Sequence, residues 1–361
     1  DWSFPHQGPA QAKKDAYGNW DATGMYLIAY ATPRKAIRLT GSKPSVIPPF
    51  SAENSAKLIL EGRPDYADGK FSAFSSWSPI VRERAADALA KRKDAPVEPF
   101  IQLLDAPTVE ARQGACTALA HMGARAEPAI PKLLETLSSD DLWLRVKATE
   151  ALAAMGEPAM DALPVLLKRL AIGPTTEDPR GMEQRYIANA LFHSRSGMLR
   201  NSLDGVDRDL LYAAIVSGLQ NEDGRTRGTF ARIYKQLSWD ELQPIMPQIH
   251  RAIVEPSPSG IMFDGGIQDA GLELLSQNRV DEGIELIANY IRTQKKHGSE
   301  KRVAKYIDML KRYGAHSQRA IPLLEQAATY FENGEEGFPK WASDRKLESV
   351  RKDIEEIKAL E

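Results

Sequence analysis

The chain has 361 residues, 42% of them hydrophobic and 27% charged, which is enough for two average domains or one long repeat array. Its 47 Lys and Arg nearly balance its 49 Asp and Glu, and a formal charge of −2 argues against a strongly basic binder of nucleic acids. The single cysteine, Cys116, excludes an internal disulfide and a CxxC zinc module, and no apolar run approaches the ~20 residues of a membrane span.

The first 78 residues do not show the pattern that dominates the rest of the chain. Apolar spacing predicts a helix over residues 22–36, and Pro44, Pro48 and Pro49 predict a linker after it. We therefore predict an N-terminal segment over residues 1–50, followed by a short helix and connector over 51–78.

From residue 79 to 337 the sequence is repetitive. Residues 115–123 (ACTALAHMG) are matched 33 positions later by residues 148–156 (ATEALAAMG). Each glycine is followed six residues on by an alanine, an aliphatic residue and a proline, and Gly314 begins the same spacing. The apolar positions recur at helical intervals, the glycine is typical of a helix end, and the proline suits the first turn of a second helix.

A second pattern fixes the phase of these helix pairs. A residue suited to cap a helix stands four positions before an arginine at four places: Ser78 and Arg82, Thr108 and Arg112, Asp141 and Arg145, Asp223 and Arg227. Together with the proline, this pattern resembles HEAT repeats, which implies an all-α, HEAT-like α-solenoid. We predict about seven helix pairs, beginning near residues 79, 108, 141, 180, 225, 261 and 301.

Two irregular insertions, residues 173–184 and 194–207, interrupt the period. Loops on a rigid scaffold often carry specificity, so Arg180, Arg195 and Arg200 are candidates for contacting an anionic group. The alternative is that these loops are solvated connectors.

Residues 257–266 (SPSGIMFDGG) are rich in glycine but lack the Lys-Ser/Thr ending and the preceding strand of a phosphate-binding loop. We therefore reject nucleotide binding and predict that Asp264, Gly265 and Gly266 form a tight turn between helices.

A basic stretch between Arg292 and Arg319 has a formal charge of +7. It could bind an anionic partner, and the alternative is a solvated helix face. The candidate residues in it are Arg292, Lys295, Lys296, Lys301, Arg302 and Lys305.

No motif points to catalysis, a metal or a cofactor. None of the six histidines is followed by glutamate, which excludes the iron ligands of HEAT-like deoxyhypusine hydroxylases, and neither HExxH nor GxSxG occurs. We expect no catalytic residue, metal or cofactor in this chain.

The last residues, 338–361, carry Leu347, Val350, Ile354 and Ile357 at helical spacing. We predict a C-terminal capping helix, because terminal repeats need a polar outer face.

Residues 18–41 (GNWDATGMYLIAYATPRKAIRLTG) resemble the closing helix of an α/α-toroid. With residues 77–86, 141–148 and 256–263, they resemble an uncharacterised bacterial family in which such a domain precedes HEAT repeats. The resemblance implies export, and it identifies residues 1–41 as a toroid remnant. Because the chain begins at Asp1 without a start signal, we expect it to be a piece of a longer protein.

We predict a noncatalytic binding or scaffold module that presents its solenoid surface to a protein or an anionic polymer, such as an acidic glycan. An alternative is an accessory domain of a secreted, carbohydrate-active enzyme whose catalytic part lies upstream. One N-terminal cluster contains the residue types of glycan-degrading toroids, and we expect it to pack rather than to catalyse: His6, Tyr17, Asn19, Trp20, Asp21, Tyr26 and Tyr30. The near-neutral charge argues against a nucleic-acid partner, including that of a HEAT-like DNA glycosylase.

Overall fold

The computed structural model describes residues 36–40, 43–47, 74, 79–90, 92–293, 299–335, 337 and 339–360. Two short strands, β1 (Ala36–Thr40) and β2 (Lys43–Ile47), are followed by helices in all that remains of the regular structure. The α-helices are α1 (Pro79–Ala90), α2 (Glu98–Leu103), α3 (Val109–Met122), α4 (Ile130–Thr136), α5 (Leu142–Met155), α6 (Leu163–Ile172), α7 (Met182–Phe192), α8 (Arg208–Gln220), α9 (Gly224–Ala231), α10 (Trp239–Leu242), α11 (Met246–Val254), α12 (Asp264–Gln277), α13 (Glu282–Thr293), α14 (Ser299–Lys311), α15 (Ile321–Glu332) and α16 (Lys340–Lys358).

The predicted fold class, an all-α HEAT-like α-solenoid with a C-terminal capping helix, is confirmed. The helices follow one another in pairs, and the first helices of the seven pairs begin within three residues of the predicted starts. The chain divides into two compact units, residues 1–210 and 211–361. In the first unit α3 packs between α1 and α5, and α5 also packs against α7; in the second unit α13 packs against α12, α14 and α15.

The boundaries of the helix pairs follow from local chemistry. Thr108, Asp141 and Asp223 cap α3, α5 and α9, because each side chain accepts a hydrogen bond from a main-chain N–H three residues on. Gly123 and Gly156 end α3 and α5 with positive φ angles of 60° and 69°, a conformation that glycine adopts without strain. The chain then continues through short 3-10 helices into α4 and α6, whose first turns hold Pro131 and Pro164.

Small residues set the spacing of the first helices in the first unit. Ala115 and Ala118 of α3, like Ala148 and Ala151 of α5, are fully buried between neighbouring helices. Leucines complete the core, and Leu152 of α5 has 0% of its surface exposed. Alanine allows the helix backbones to approach closely, so each helix covers the apolar face of the preceding repeat.

The structure differs from the prediction at the N-terminal segment. Ala36 and Pro44, predicted in a helix and in a linker, lie in the antiparallel strands β1 and β2, where Leu39 is opposite Pro44. Among the described residues this sheet consists of β1 and β2. A proline is tolerated in an edge strand, because some of its main-chain donors are not needed for pairing. The remainder of the predicted helix over residues 22–36, and the toroid remnant apart from the strands, lie outside the described residues.

The predicted tight turn at Asp264 is wrong, because α12 begins at this residue and Gly265 and Gly266 form its first turn. The Asp264 carboxylate accepts a hydrogen bond from the main-chain N–H of Ser257, at 3.2 Å. The preceding loop is also fixed at Ser259, which exchanges main-chain hydrogen bonds with Glu222 and Gly224. These contacts order the loop, and its glycine turn lies at Gly260, with a φ of 65°, four residues before α12 begins.

The capping helix α16 packs against α14 and α15 and contains a buried ion pair. Lys346 is 0% exposed, and its Nζ lies 2.9 and 2.8 Å from the two carboxylate oxygens of Glu335. The hydroxyl of Ser343 donates to the same carboxylate at 3.0 Å, and the ring of Phe331 lies beneath the ammonium group. The charges are compensated by hydrogen bonds, as burial of an ion pair requires.

Replacing Leu152 by aspartate is expected to lower the free energy of unfolding by several kcal/mol, since an unpaired charge would be buried between α5 and its neighbours. Chemical denaturation followed by circular dichroism measures this change. Ala154→Asp places the same charge on the exposed side of the same helix and is expected to alter stability by less than about 0.5 kcal/mol. Equal stabilities of the two variants would contradict the assigned helix faces.

Cys116 lies in the core of α3, and burial raises the pKa of its thiol to about 12. We expect a thiol reagent at pH 8 to leave the native protein unmodified, because the reactive thiolate is both unpopulated and covered. In denaturant one thiol per chain should react, and rapid labelling without denaturant would contradict the packing of α3.

Candidate interaction surface

The predicted basic residues of the second unit differ in their surroundings. Arg292 is exposed and donates a hydrogen bond to the Gln326 side chain at 3.3 Å. Lys305 pairs with Asp269 at 3.2 Å, Lys301 is exposed, and Arg302 is partly exposed. Lys295 and Lys296 lie outside the described residues.

Acidic residues of neighbouring helices neutralise much of the remaining basic stretch. Lys311 lies 2.5 Å from both Asp353 and Glu356 of the capping helix. Arg312 pairs with Glu273 at 2.7 Å, and Arg319 pairs with Asp281 at 2.8 Å. Four of the nine basic residues of this stretch, Lys305, Lys311, Arg312 and Arg319, therefore have acidic partners in the folded unit, and these pairs join neighbouring segments.

Arg180, Arg195 and Arg200, the predicted loop residues, belong to the first unit and are exposed. Arg200 donates to the main-chain carbonyl of Gly197 at 3.1 Å. The loop that carries Arg180 is fixed by Asp178, whose carboxylate accepts main-chain N–H groups at the start of α7. The loop is thus an ordered cap of α7, and its arginine points to no acid that the structure describes.

Three charged residues connect α5, α6 and α7 in the first unit. The Glu183 carboxylate accepts hydrogen bonds from Arg145 at 2.7 and 3.0 Å and from Arg169 at 2.7 Å. All three side chains are mostly buried, and hydrogen bonding to Glu183 raises the pKa of Arg145. We call this arrangement the Arg145–Glu183–Arg169 clamp. It fixes the spacing of α5 and α7 because both helices supply a residue to it.

An aromatic pair lies on the same two helices. Trp143 of α5 is 43% exposed, and its ring meets that of the half-buried Tyr186 edge to face, with centroids 5.5 Å apart. Trp143 is two residues before Arg145 and Tyr186 three after Glu183, so the clamp holds both rings in place. Sequence reasoning missed this pair. The one available signal was a large aromatic residue, Trp143, two positions after the capping residue Asp141.

Neither metal ligation nor membrane insertion finds support in the part of the chain that the structure describes. No group of three metal-ligating side chains occurs among those residues. None of their helices combines the length and apolar character needed to cross a bilayer. The N-terminal cluster of His6, Tyr17, Trp20 and their neighbours lies outside the described residues.

Comparison with known proteins agrees with the repeat pattern. A family described as HEAT repeats matches residues 97–177, which span α2 to α6. Among solved structures, an engineered protein is 17% identical over 85% of this chain and 87% of its own, with a TM-score of 0.45. Curated proteins give no match. Residues 97–177 are therefore similar to HEAT repeats, in agreement with the helix pairs described above.

Replacing Glu183 by alanine leaves Arg145 and Arg169 facing each other without their carboxylate. We expect the free energy of unfolding to fall by about 2 to 4 kcal/mol, since the two guanidinium groups would stay mostly buried without a counter-ion. Thermal and urea unfolding measure the loss. Glu177→Ala removes the same charge at an exposed position of the preceding loop and is the matched control; an equal loss in both variants would contradict the clamp.

Proposed function

We propose that this chain is a noncatalytic, protein-binding repeat module whose contact surface is centred on Trp143 and Tyr186. The observation that carries the proposal is the exposed ring of Trp143, which packs edge to face on the half-buried ring of Tyr186 on two rigidly connected helices. Tryptophan and tyrosine are enriched among the residues that dominate protein interfaces, because they bury a large area at little cost in side-chain entropy. A preorganised pair reduces that cost further.

The charge pattern favours a protein over an anionic polymer as the partner. Lys305, Lys311, Arg312 and Arg319 already have carboxylate partners within their own unit. An anionic polymer would have to compete with these carboxylates, and it gains affinity from cations that lack such partners. HEAT repeats also present extended surfaces that suit protein partners.

Two further expectations stay predictions. One is that the chain is exported, and the other is that it accompanies an upstream carbohydrate-active domain. The second would make Trp143 a platform for a sugar ring, so a screen of neutral and acidic glycans belongs beside the protein experiment.

The proposal predicts that Trp143→Ala loses its partner. The immobilised chain and its variants are incubated with an extract of the cells that encode it, and the bound proteins are quantified by mass spectrometry. We expect at least one protein to bind the parent chain and to fall about tenfold or more with Trp143→Ala, a loss typical of an interface hot spot.

Trp341→Ala is the control, because Trp341 is 49% exposed but lies on the capping helix of the other unit. Binding that is unchanged in Trp143→Ala, or lost equally in both variants, would contradict the proposed surface. Glycan binding that depends on Trp143 would instead support the carbohydrate-associated alternative.

A further inference from the structure

Two of the arginines that follow the capping residues of these repeats, Arg145 and Arg227, bind main-chain carbonyls. Arg145 donates hydrogen bonds to the main-chain carbonyls of Ser139 and Asp140, at 2.7 and 3.0 Å, as well as to Glu183. In the second unit Arg227 donates to the main-chain carbonyls of Asn221 and Glu255, at 2.6 and 3.0 Å. Each guanidinium thus binds main-chain carbonyls of a neighbouring segment.

Arg112, one repeat before Arg145, has no such partners. Its Nε–H group is buried and donates to no acceptor in the described ranges, and its guanidinium makes no side-chain hydrogen bond or ion pair there. A buried donor without an acceptor costs free energy, because the group has lost its water and gained nothing. Arg112 is therefore the member of this series that the described residues leave incomplete.

The clamp of the next repeat cannot form around Arg112. The position that corresponds to Arg169, 33 residues earlier, is Thr136, whose hydroxyl donates to the main-chain carbonyl of Lys132. The position that corresponds to Glu183, the second residue of its helix, is Trp143. With neither the second arginine nor the carboxylate present, the space beside Arg112 is open.

That space is a groove of about 550 Å³, within the usual range of ligand sites. Its charged lining consists of Arg112, Lys132 and four carboxylates, a formal charge of −2. Lys132 already pairs with Asp105 at 2.7 Å and Glu135 at 2.9 Å. Asp141 caps α5, while Asp140 is exposed at the rim.

We propose that this groove binds an extended, basic segment of a partner protein. Arg112 donates to the main-chain carbonyls of the segment, as Arg145 and Arg227 do to carbonyls of their own chain. Asp140 pairs with its basic side chains, and so do Asp105 and Glu135, whose side chains remain 66% and 67% exposed beside Lys132 and can accept a second cation. A purely anionic ligand would satisfy Arg112 but would face four carboxylates, so the charge of the lining selects a peptide that offers carbonyl oxygens together with cations.

The inference rests on the proposed function, since it names a second contact of a protein partner, and it is tested without that partner. The probe is a fluorescein-labelled, end-capped heptapeptide of alternating lysine and glycine, and its binding is followed by fluorescence anisotropy at low salt. An otherwise identical peptide with glutamate in place of lysine is the counter-probe.

We expect the lysine peptide to bind the parent chain at least tenfold more tightly than the glutamate peptide. Arg112→Met keeps the apolar stem of the side chain but removes its donors, and should weaken lysine-peptide binding about tenfold. The double variant Glu135→Gln/Asp140→Asn should weaken it comparably. Arg180→Met, at an exposed arginine of the same unit, is the matched control and should bind as the parent does.

Stability separates this role from a structural one. Because Arg112 lacks partners among the described residues, Arg112→Met is expected to keep or raise the melting temperature. Arg145→Met, which removes one of the two arginines of the clamp, should lower the melting temperature. A clear drop in melting temperature for Arg112→Met would show a structural partner and overturn the proposal.

The other contradicting outcomes are equal affinity for the two peptides, preference for the glutamate peptide, binding unaffected by Arg112→Met, and no peptide binding at all. Each overturns the groove assignment alone. A protein captured by the chain and lost in Trp143→Ala would still support the proposed function, so the two failures are distinguishable.

Discussion

The constraint on which the structure depends is that no helix pair can cover its own apolar face. The buried alanines of α3 and α5 let successive helices approach closely enough for each to complete the core of the one before it. Every other interaction operates within the spacing that this packing sets. The Arg145–Glu183–Arg169 clamp connects helices that are already in contact, and the aromatic pair lies on two of these helices.

Charge in this protein is used chiefly between repeats. The basic residues from Lys305 to Arg319 look like an unpaired patch in the sequence, but their partners lie on α12, α16 and the turn before α13. Such pairs stabilise little when exposed, yet several in succession favour one alignment of the helices over others. Arg112 differs from these residues, because it forms no ion pair among the described residues and lines a groove instead.

The repeat architecture could be predicted because its signals are local. The ion pairs between repeats could not, because their partners are far apart in the sequence. The caps at Thr108, Asp141 and Asp223 and the glycine at 123 involve contacts within a few residues, so their spacing in the sequence was sufficient. The partners of Lys305 and Lys311 lie 36 and 45 positions away, and nothing local identifies them. Gly41 and Ser42, a pair typical of two-residue hairpin loops, were a signal that the prolines around them obscured. Gly265 and Gly266 suggested a turn at Asp264, where α12 begins instead. The hydrogen bond from the Ser257 main chain to Asp264 spans seven residues, and the glycines gave no sign of it.

The ion pair between Lys346 and Glu335 fixes the position of α16 along its own axis. Sliding the helix by one turn in either direction would bring Ala342 or Ser343, or Ser349 or Val350, to the place of the lysine, and none of these carries a positive charge. Glu335 would then be left in the interior without a counter-ion, at a cost that apolar packing of a shifted helix would not offset. The apolar spacing of α16 alone would allow the helix to pack in positions that differ by one turn. The buried ion pair of Lys346 with Glu335 selects one of them.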